Sequence, residues 1–389
     1  GVGFDMNARL LDRLTNETNG YSEFVKPDED IEAAVARYAS RMTRSALANV
    51  KIRFDGVDVN RAYPRELPDL FEGSQIVWVG RYRQSGPTKL SIQGETSDGS
   101  LTQEYQVELA APGDSTRHAF VEKIWALRRV GEIIDQIDLH GKNDELTNEL
   151  VALSQKYGIL TPYTAFLADD SVRLHASGEN LRRARTSLEQ LSEVAGYGGV
   201  QQRAIKGGYK VADQASGPAG AAGYPGFGGG MGGMGRGYGS LGGQPGAPSQ
   251  AGRSSGPAPA TKGMGSSRAR TPATLGLETA QPKTSVNTFA VAPPNAKEMR
   301  EALEDRLTLE NNVRQVGGKT FFWKNQRWID SPVTPDKEAK AQLIKQFSDE
   351  YFSLLARLKP ATSQYLVFDE TCVVELDGKV YRIEQAKAK

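Results

Sequence analysis

The sequence predicts a mixed, multidomain protein. It has the end of a doubly wound parallel α/β sheet, an antiparallel β-sandwich with a helical hairpin, a disordered Gly/Pro-rich linker, and a small α+β domain at the carboxy terminus. Three observations carry that prediction. A strand–helix–strand pattern opens the chain, the hydrophobic period drops to two between residues 50 and 109, and eleven of the eighteen residues from Gly226 to Gly243 are glycine. Strand, helix, strand with tight connections implies parallel pairing. Alternation marks half-buried strands. A chain that rich in glycine cannot bury enough apolar area to offset the entropy of ordering it.

Taken in order, Gly1 to Phe4 reads as the end of a buried strand, so residue 1 is expected to be a truncation point. Asn7 is placed to cap a helix with Leu10, Leu11 and Leu14 on one face, ending at Asn19-Gly20. Tyr21 to Val25 reads as the next strand. A second helix is expected from Pro27, with Asp28, Glu29 and Asp30 in its first turn and Ile31, Val35, Tyr38 and Met42 as its apolar stripe. Short strands follow at 51–54, 75–79, 89–92 and 104–107, separated by turn clusters such as Ser97-Asp98-Gly99-Ser100. Strands at that spacing suggest a sandwich.

A helix over 119–137 carries Phe120, Ile124, Leu127, Ile134 and Ile137. Its hairpin partner over 144–157 has Asn143 to cap it and Gly158 to end it. Residues 164–167 read as a strand and 180–194 as a helix. Beyond the linker, helices are expected over 295–310 and 336–357. Strands are expected across 319–329, at 364–368 and over 371–383, the last pair turning at Asp377-Gly378. The boundaries that result are 1–47 (end of the α/β unit), 48–115 (sandwich), 116–195 (helical region with one strand), 196–296 (linker) and 297–389 (α+β domain). The last is expected to fold independently.

The composition of 389 residues, 38% hydrophobic and 24% charged, accommodates two or three such units. No apolar run approaches the ~18 residues of a membrane span. The single cysteine, Cys372, excludes an internal disulfide framework and sits in an alternating stretch where a buried thiol is expected. The net charge of +1 hides an asymmetry. Residues 196–296 hold nine Lys or Arg against Asp213 and Glu278, a local +7, which leaves −6 for the rest. The folded parts are mildly acidic, which argues against a folded nucleic-acid-binding surface.

Motifs that would carry chemistry are missing. His118, His140 and His175 are isolated, with no histidine or cysteine partner at helical spacing, and a metal site needs at least three converging ligands. There is no nucleophile elbow and no phosphate loop, and Gly1-Val2-Gly3 lacks the third glycine of a dinucleotide loop. The sequence therefore offers no catalytic, cofactor-binding or metal-binding residue. Gly235-Arg236-Gly237-Tyr238-Gly239 is a lone Gly-Arg-aromatic unit of the kind found in RNA-binding segments. It keeps open an RNA-associated reading of the linker, beside an enzyme whose site the sequence does not reveal.

Several paired motifs resemble one family. Gly1-Val2-Gly3-Phe4-Asp5-Met6-Asn7, with Leu10-Leu11-Asp12-Arg13-Leu14, is similar to the last strand and helix of the A domain in VIT and von Willebrand factor A domain proteins. Those include the inter-alpha-trypsin inhibitor heavy chains and their bacterial relatives. The resemblance continues through Tyr63-Pro64, Leu67 to Gln75, Gly80-Arg81-Tyr82 and Tyr157 to Thr164, and covers about residues 1–170. It implies a carboxy-terminal half of such a protein, a non-enzymatic binding or adhesion role, and a periplasmic, cell-surface or secreted location. It also implies a protein or matrix ligand rather than nucleic acid. The family's metal-ion-dependent adhesion site lies in loops that precede the strand at residue 1. The resemblance therefore implies that any Mg2+ is bound by upstream residues of the full-length protein, with no ligand here.

Overall fold

The computed structural model describes residues 1–3, 5–18, 24–25, 30–41, 45–71, 75–111, 119–213, 309, 311–358, 360–366 and 368–385. The expected helix over 295–310 and the linker beyond residue 213 lie outside this set, apart from residue 309. So do His118, Asp28, Glu29 and Met42.

At the start, Val2 and Val25 form a parallel bridge around helix α1 (Ala8–Thr18), as strand–helix–strand order requires. Asn7 caps α1, its Oδ1 accepting from the Leu10 N–H at 3.0 Å. The inward face differs from expectation. Leu10 and Leu14 are about half exposed, while Ala8 and Asp12 are buried. Helix α2 (Ile31–Arg41) is capped by Asp30, whose Oδ1 accepts from Glu32 and Ala33. It buries Ala34 and leaves Ile31 and Val35 of the expected stripe exposed, while the Tyr38 side chain and Met42 lie outside the described set.

The alternating stretch forms strands β1 (Ser45–Phe54), β2 (Val59–Tyr63), β3 (Leu70–Phe71), β4 (Val79–Tyr82), β5 (Gly86–Thr96) and β6 (Gly99–Leu109). They make a four-stranded sheet in the order β3-β1-β5-β6 and a separate ribbon of β2 and β4, in place of the two facing sheets expected. Residues 75–78 are not a strand. Trp78 stacks on Phe54, and the Val77 carbonyl accepts from the Arg128 guanidinium, which takes it out of any ladder.

Helix α3 (Ala119–His140) forms the centre of the helical region, with α4 (Asp144–Tyr157), α5 (Ser177–Ser187) and α6 (Gly196–Lys210) around it. Asn143 and Gly158 cap α4 as the sequence indicates. Residues 164–167 are not a strand. Ala165–Ala168 is a 3-10 turn held from behind by hydroxyl contacts among Ser154, Thr161 and Thr164. Helix α6 corrects the linker boundary at 196. Its glycines lower helix propensity, but Ile205 and Tyr209 join the core around α3. Gly131 of α3 lets the α6 backbone approach so closely that a Cβ there would meet the Lys210 nitrogen at 2.7 Å.

Charge fixes the same seam. Lys206 Nζ lies 2.7 Å from Asp12 Oδ2, 2.7 Å from Asp135 Oδ1 and 3.1 Å from Asp138 Oδ2. Arg203 and Arg9 reach Asp138 Oδ1 at 2.6 and 3.0 Å, and Lys210 reaches Asp135 at 2.9 Å. Arg203, Lys206 and Lys210 are three of the nine cations counted in the supposed linker, and they neutralise acids of α1 and α3.

After the break come β7 (Val313–Val316), β8 (Lys319–Lys324), β9 (Arg327–Asp330), the single helical turn α7 (Pro335–Glu338), β10 (Gln342–Lys345), α8 (Asp349–Arg357), β11 (Cys372–Leu376) and β12 (Lys379–Glu384). The sheet order is β10-β12-β11-β9-β8-β7. The helix expected over 336–357 is thus broken by a strand, and 364–366 is a 3-10 turn rather than a strand. The hairpin at Asp377-Gly378 forms as expected, with both residues at positive φ.

This unit does not stand apart from the helical region. Phe322, fully buried, packs among Val151, Leu167, Leu174 and Ala184. Around it, Thr320 Oγ1 donates to the Lys156 carbonyl at 2.8 Å and Ser331 Oγ to the Gln155 carbonyl at 2.9 Å. Asn312 Nδ2 donates to the Ala168 carbonyl at 3.1 Å, and Lys324 Nζ to that of Leu167 at 2.9 Å. The expectation of an independent carboxy-terminal domain is corrected accordingly. The alternation of strands shows that a sheet forms, but not that its second face needs a helix layer.

Two outcomes follow from this packing. Burial pushes the Asp135 carboxyl up, but Lys206 and Lys210 outweigh it and hold it below its ordinary 3.8. A carboxyl depressed by folding contributes stability that is complete above its unfolded value and is lost as pH falls through the folded one. The urea midpoint should therefore hold at neutral pH and fall below about pH 4, with a shallower acid slope in Asp135→Asn. Equal slopes would remove Asp135 from the account. The second concerns Phe322→Ala, which should cost about 3–5 kcal/mol. In a background with Trp78→Phe and Trp125→Phe, the sheet (fluorescence of Trp323 and Trp328) and the helices (circular dichroism) should be weakened together. A loss seen by fluorescence alone would mean that docking does not support the helical region.

Candidate interaction surface

Among the described residues, most groups that could do chemistry are used in packing, the exposed His140 excepted. His140 ends α3, and His175 Nε2 meets the Val333 carbonyl at 2.8 Å, another tie between the two regions. Burial pushes up the thiol of Cys372, which is inside the core of the second sheet. Burial also raises Asp330, which is held by Lys319 Nζ at 2.5 Å, and draws Lys324 down to about 8 in the seam. No group of three His, Cys, Asp or Glu suited to a metal is found among the described residues. Asp12, Asp135 and Asp138 do converge, but the Lys206 ammonium holds the centre, so they do not fit a cation site.

The surface offers a different feature. Among the described residues, β10 is the terminal strand of its sheet, paired in parallel with β12 on one side only. The Gln346 N–H, just after the strand, donates inward to the Glu384 carbonyl at 2.8 Å. Alternation sends the main-chain groups of Ile344 the same way and turns those of Leu343 and Lys345 outward. The side chains alternate too. Ile344 is buried in the core, whereas Leu343 is 53% exposed.

A hollow lies on each face of the strand. One, of about 460 Å³, is lined by Pro335, Ala339, Leu343 and the Arg382–Glu384 pair. The other, of about 570 Å³, is lined by Gln342 and Ile344 with Glu350, Ser353, Ala356 and Arg357 of α8. The sequence reading missed this surface by running one helix through β10. Its signals were Thr334-Pro335 and Ser348-Asp349-Glu350, two helix starts fourteen residues apart. Both caps form, at the Lys337 and Tyr351 N–H groups.

No family model matches the chain, and no solved structure matches it. Among curated proteins it is 25% identical over 184 residues to inter-alpha-trypsin inhibitor heavy chain H2 of Sus scrofa, covering 44% of this chain and 19% of that relative. Heavy chain H2 of Homo sapiens is 23% identical over 184 residues, with the same two shares. A von Willebrand factor A domain-containing protein of Dictyostelium discoideum is 25% identical over 178 residues, 43% of this chain and 8% of that protein. The chain thus spans about a fifth or less of the length of these relatives.

The open edge makes a direct prediction for amide exchange. The outward N–H of Leu343 should exchange at least ~100-fold faster than the inward N–H groups of Ile344 and Gln346, because it has no ladder partner to break. Equal protection at all three positions, read by NMR, would mean that the edge is covered.

Proposed function

We propose that this chain, which is inter-alpha-trypsin inhibitor heavy chain-like, is a non-catalytic binding scaffold that engages a protein or matrix ligand outside the cytoplasm. The observation that carries this reading is the β10 edge on a sheet whose other face is anchored to the helical region through Phe322. A fixed mounting leaves little conformational entropy to lose when a ligand binds, which favours affinity. An open strand with a hollow on each face is suited to recognising a polypeptide.

Heavy chain likeness supports the coarse non-enzymatic reading, and the placement of the perturbed groups in seams rather than clefts is consistent with it. No helix among the described residues is long and apolar enough to cross a membrane. The extracytoplasmic location rests on the family resemblance.

A photo-crosslinking residue introduced at position 343, with position 211 as an equally exposed control, tests the reading in the native host. The expected result is a discrete protein adduct from position 343 only, recovered outside the cytoplasm. Indistinguishable adducts from both positions, or adducts confined to the cytoplasm, would overturn it.

A further inference from the structure

We infer that the β10 edge binds an extended, acidic-ended segment of a partner protein by adding it to the sheet as a seventh strand. The inference deepens the scaffold reading and rests on it.

Geometry supplies the mode. A strand laid along β10 would meet the outward N–H and C=O of Leu343 and the outward N–H of Lys345 (the Lys345 carbonyl accepts a turn bond from Ser348 at 3.2 Å). Its side chains would alternate into the two hollows, since successive residues of a strand point to opposite faces. Both hollows carry apolar groups, Ile344 and Ala356 on one side and Pro335, Ala339 and Leu343 on the other, beside charged side chains such as Arg357 and Arg382. They suit β-branched side chains of moderate size. Main-chain bonds would give such a complex its affinity, and the two hollows its selectivity.

Charge supplies the partner. Lys340 precedes the strand, Lys345 ends it, and Arg357 lines the α8 hollow. None of the three has an acidic partner within ion-pair distance among the described residues. The acids around them are largely matched already. Glu338 pairs with Arg327 at 2.7 Å, Glu384 with Arg382 at 3.1 Å and Glu375 with Lys337 at 2.7 Å. Asp349 and Glu350 lie in the first turn of α8, where the helix dipole favours them. Lys340 and Lys345 therefore leave positive charge at the two ends of the strand, while Arg357 shares the α8 hollow with Glu350.

A second copy of this chain is a poor occupant. Antiparallel pairing of two β10 strands would bring Lys345 of each toward Lys340 and Arg357 of the other, and like charges across a ladder are unfavourable. Edge lysines are a common guard against self-pairing. An acidic-ended strand meets the same cations favourably.

The probe is a fluorescent hexapeptide of alternating valine and threonine with an added aspartate at each end, titrated onto the full chain by anisotropy. Saturable binding is expected. Leu343→Pro should weaken it at least roughly tenfold, because proline removes the outward N–H, and that position of an edge strand tolerates proline. A peptide N-methylated on alternate residues should fail against the unaltered protein, so the result does not depend on how the variant folds. Lys340→Glu with Arg357→Glu should weaken the acidic peptide and strengthen one ended in lysine.

Equal binding of the N-methylated peptide, or no response to the charge reversal, would overturn the inference. So would self-association of the chain that Leu343→Pro abolishes, since the edge would then belong to a second copy. An adduct from position 343 in the host without any peptide binding would leave the scaffold reading intact and remove strand addition.

Discussion

The described fold turns on one ammonium. Lys206 is almost fully buried, and moving such a group out of water costs several kcal/mol unless it is closely paired. Three carboxylates from two helices meet it, and Arg203, Arg9 and Lys210 complete the set. Removing one member of a buried pair strands its partner, at a typical cost of 3–5 kcal/mol. The arrangement therefore fixes how α1, α3 and α6 sit together, because each helix carries charges that only the others can match. Gly131 brings α6 near enough for those contacts to be short.

That seam organises what is built on α3. Arg128 donates to the carbonyls of Ala212 and Tyr63, and to that of Val77, so it links the end of α6 to the β2–β4 ribbon and the segment before β4. On the neighbouring face Arg129 holds Glu149 of α4 through two hydrogen bonds. Helix α4 then presents the Lys156 and Gln155 carbonyls to Thr320 and Ser331, which seats the carboxy-terminal sheet. A chain of buried polar contacts thus runs from the first helix to the second sheet. The apolar clusters fill the space between them.

The same logic explains why the reactive types are quiet and one surface is not. His175, Cys372, Lys324 and Asp330 are all spent on internal contacts. The seating of the β7–β8 side of the sheet leaves β10 at the opposite edge, with a neighbour on one side only among the described residues.

Local rules in the sequence determined much of this. Asn7 and Asn143 cap their helices, Gly158 ends α4, Asp377-Gly378 turns its hairpin, and Cys372 is a buried thiol. Each depends on residues a few positions apart, so composition and spacing suffice. The mixed α/β class and the heavy chain resemblance were legible for the same reason. What only tertiary structure decided are the outcomes that pair distant residues. Glycine-bearing 196–210 reads as linker until Asp12, Asp135 and Asp138 are brought to its cations. Residues 342–345 read as helix until β12 offers a ladder. Leu10 and Leu14 read as core until Asp12 turns inward to Lys206 instead. In each case a contact between residues far apart in sequence outweighs local preferences of about 1 kcal/mol per residue or less, and no reading of neighbours along the chain contains that contact.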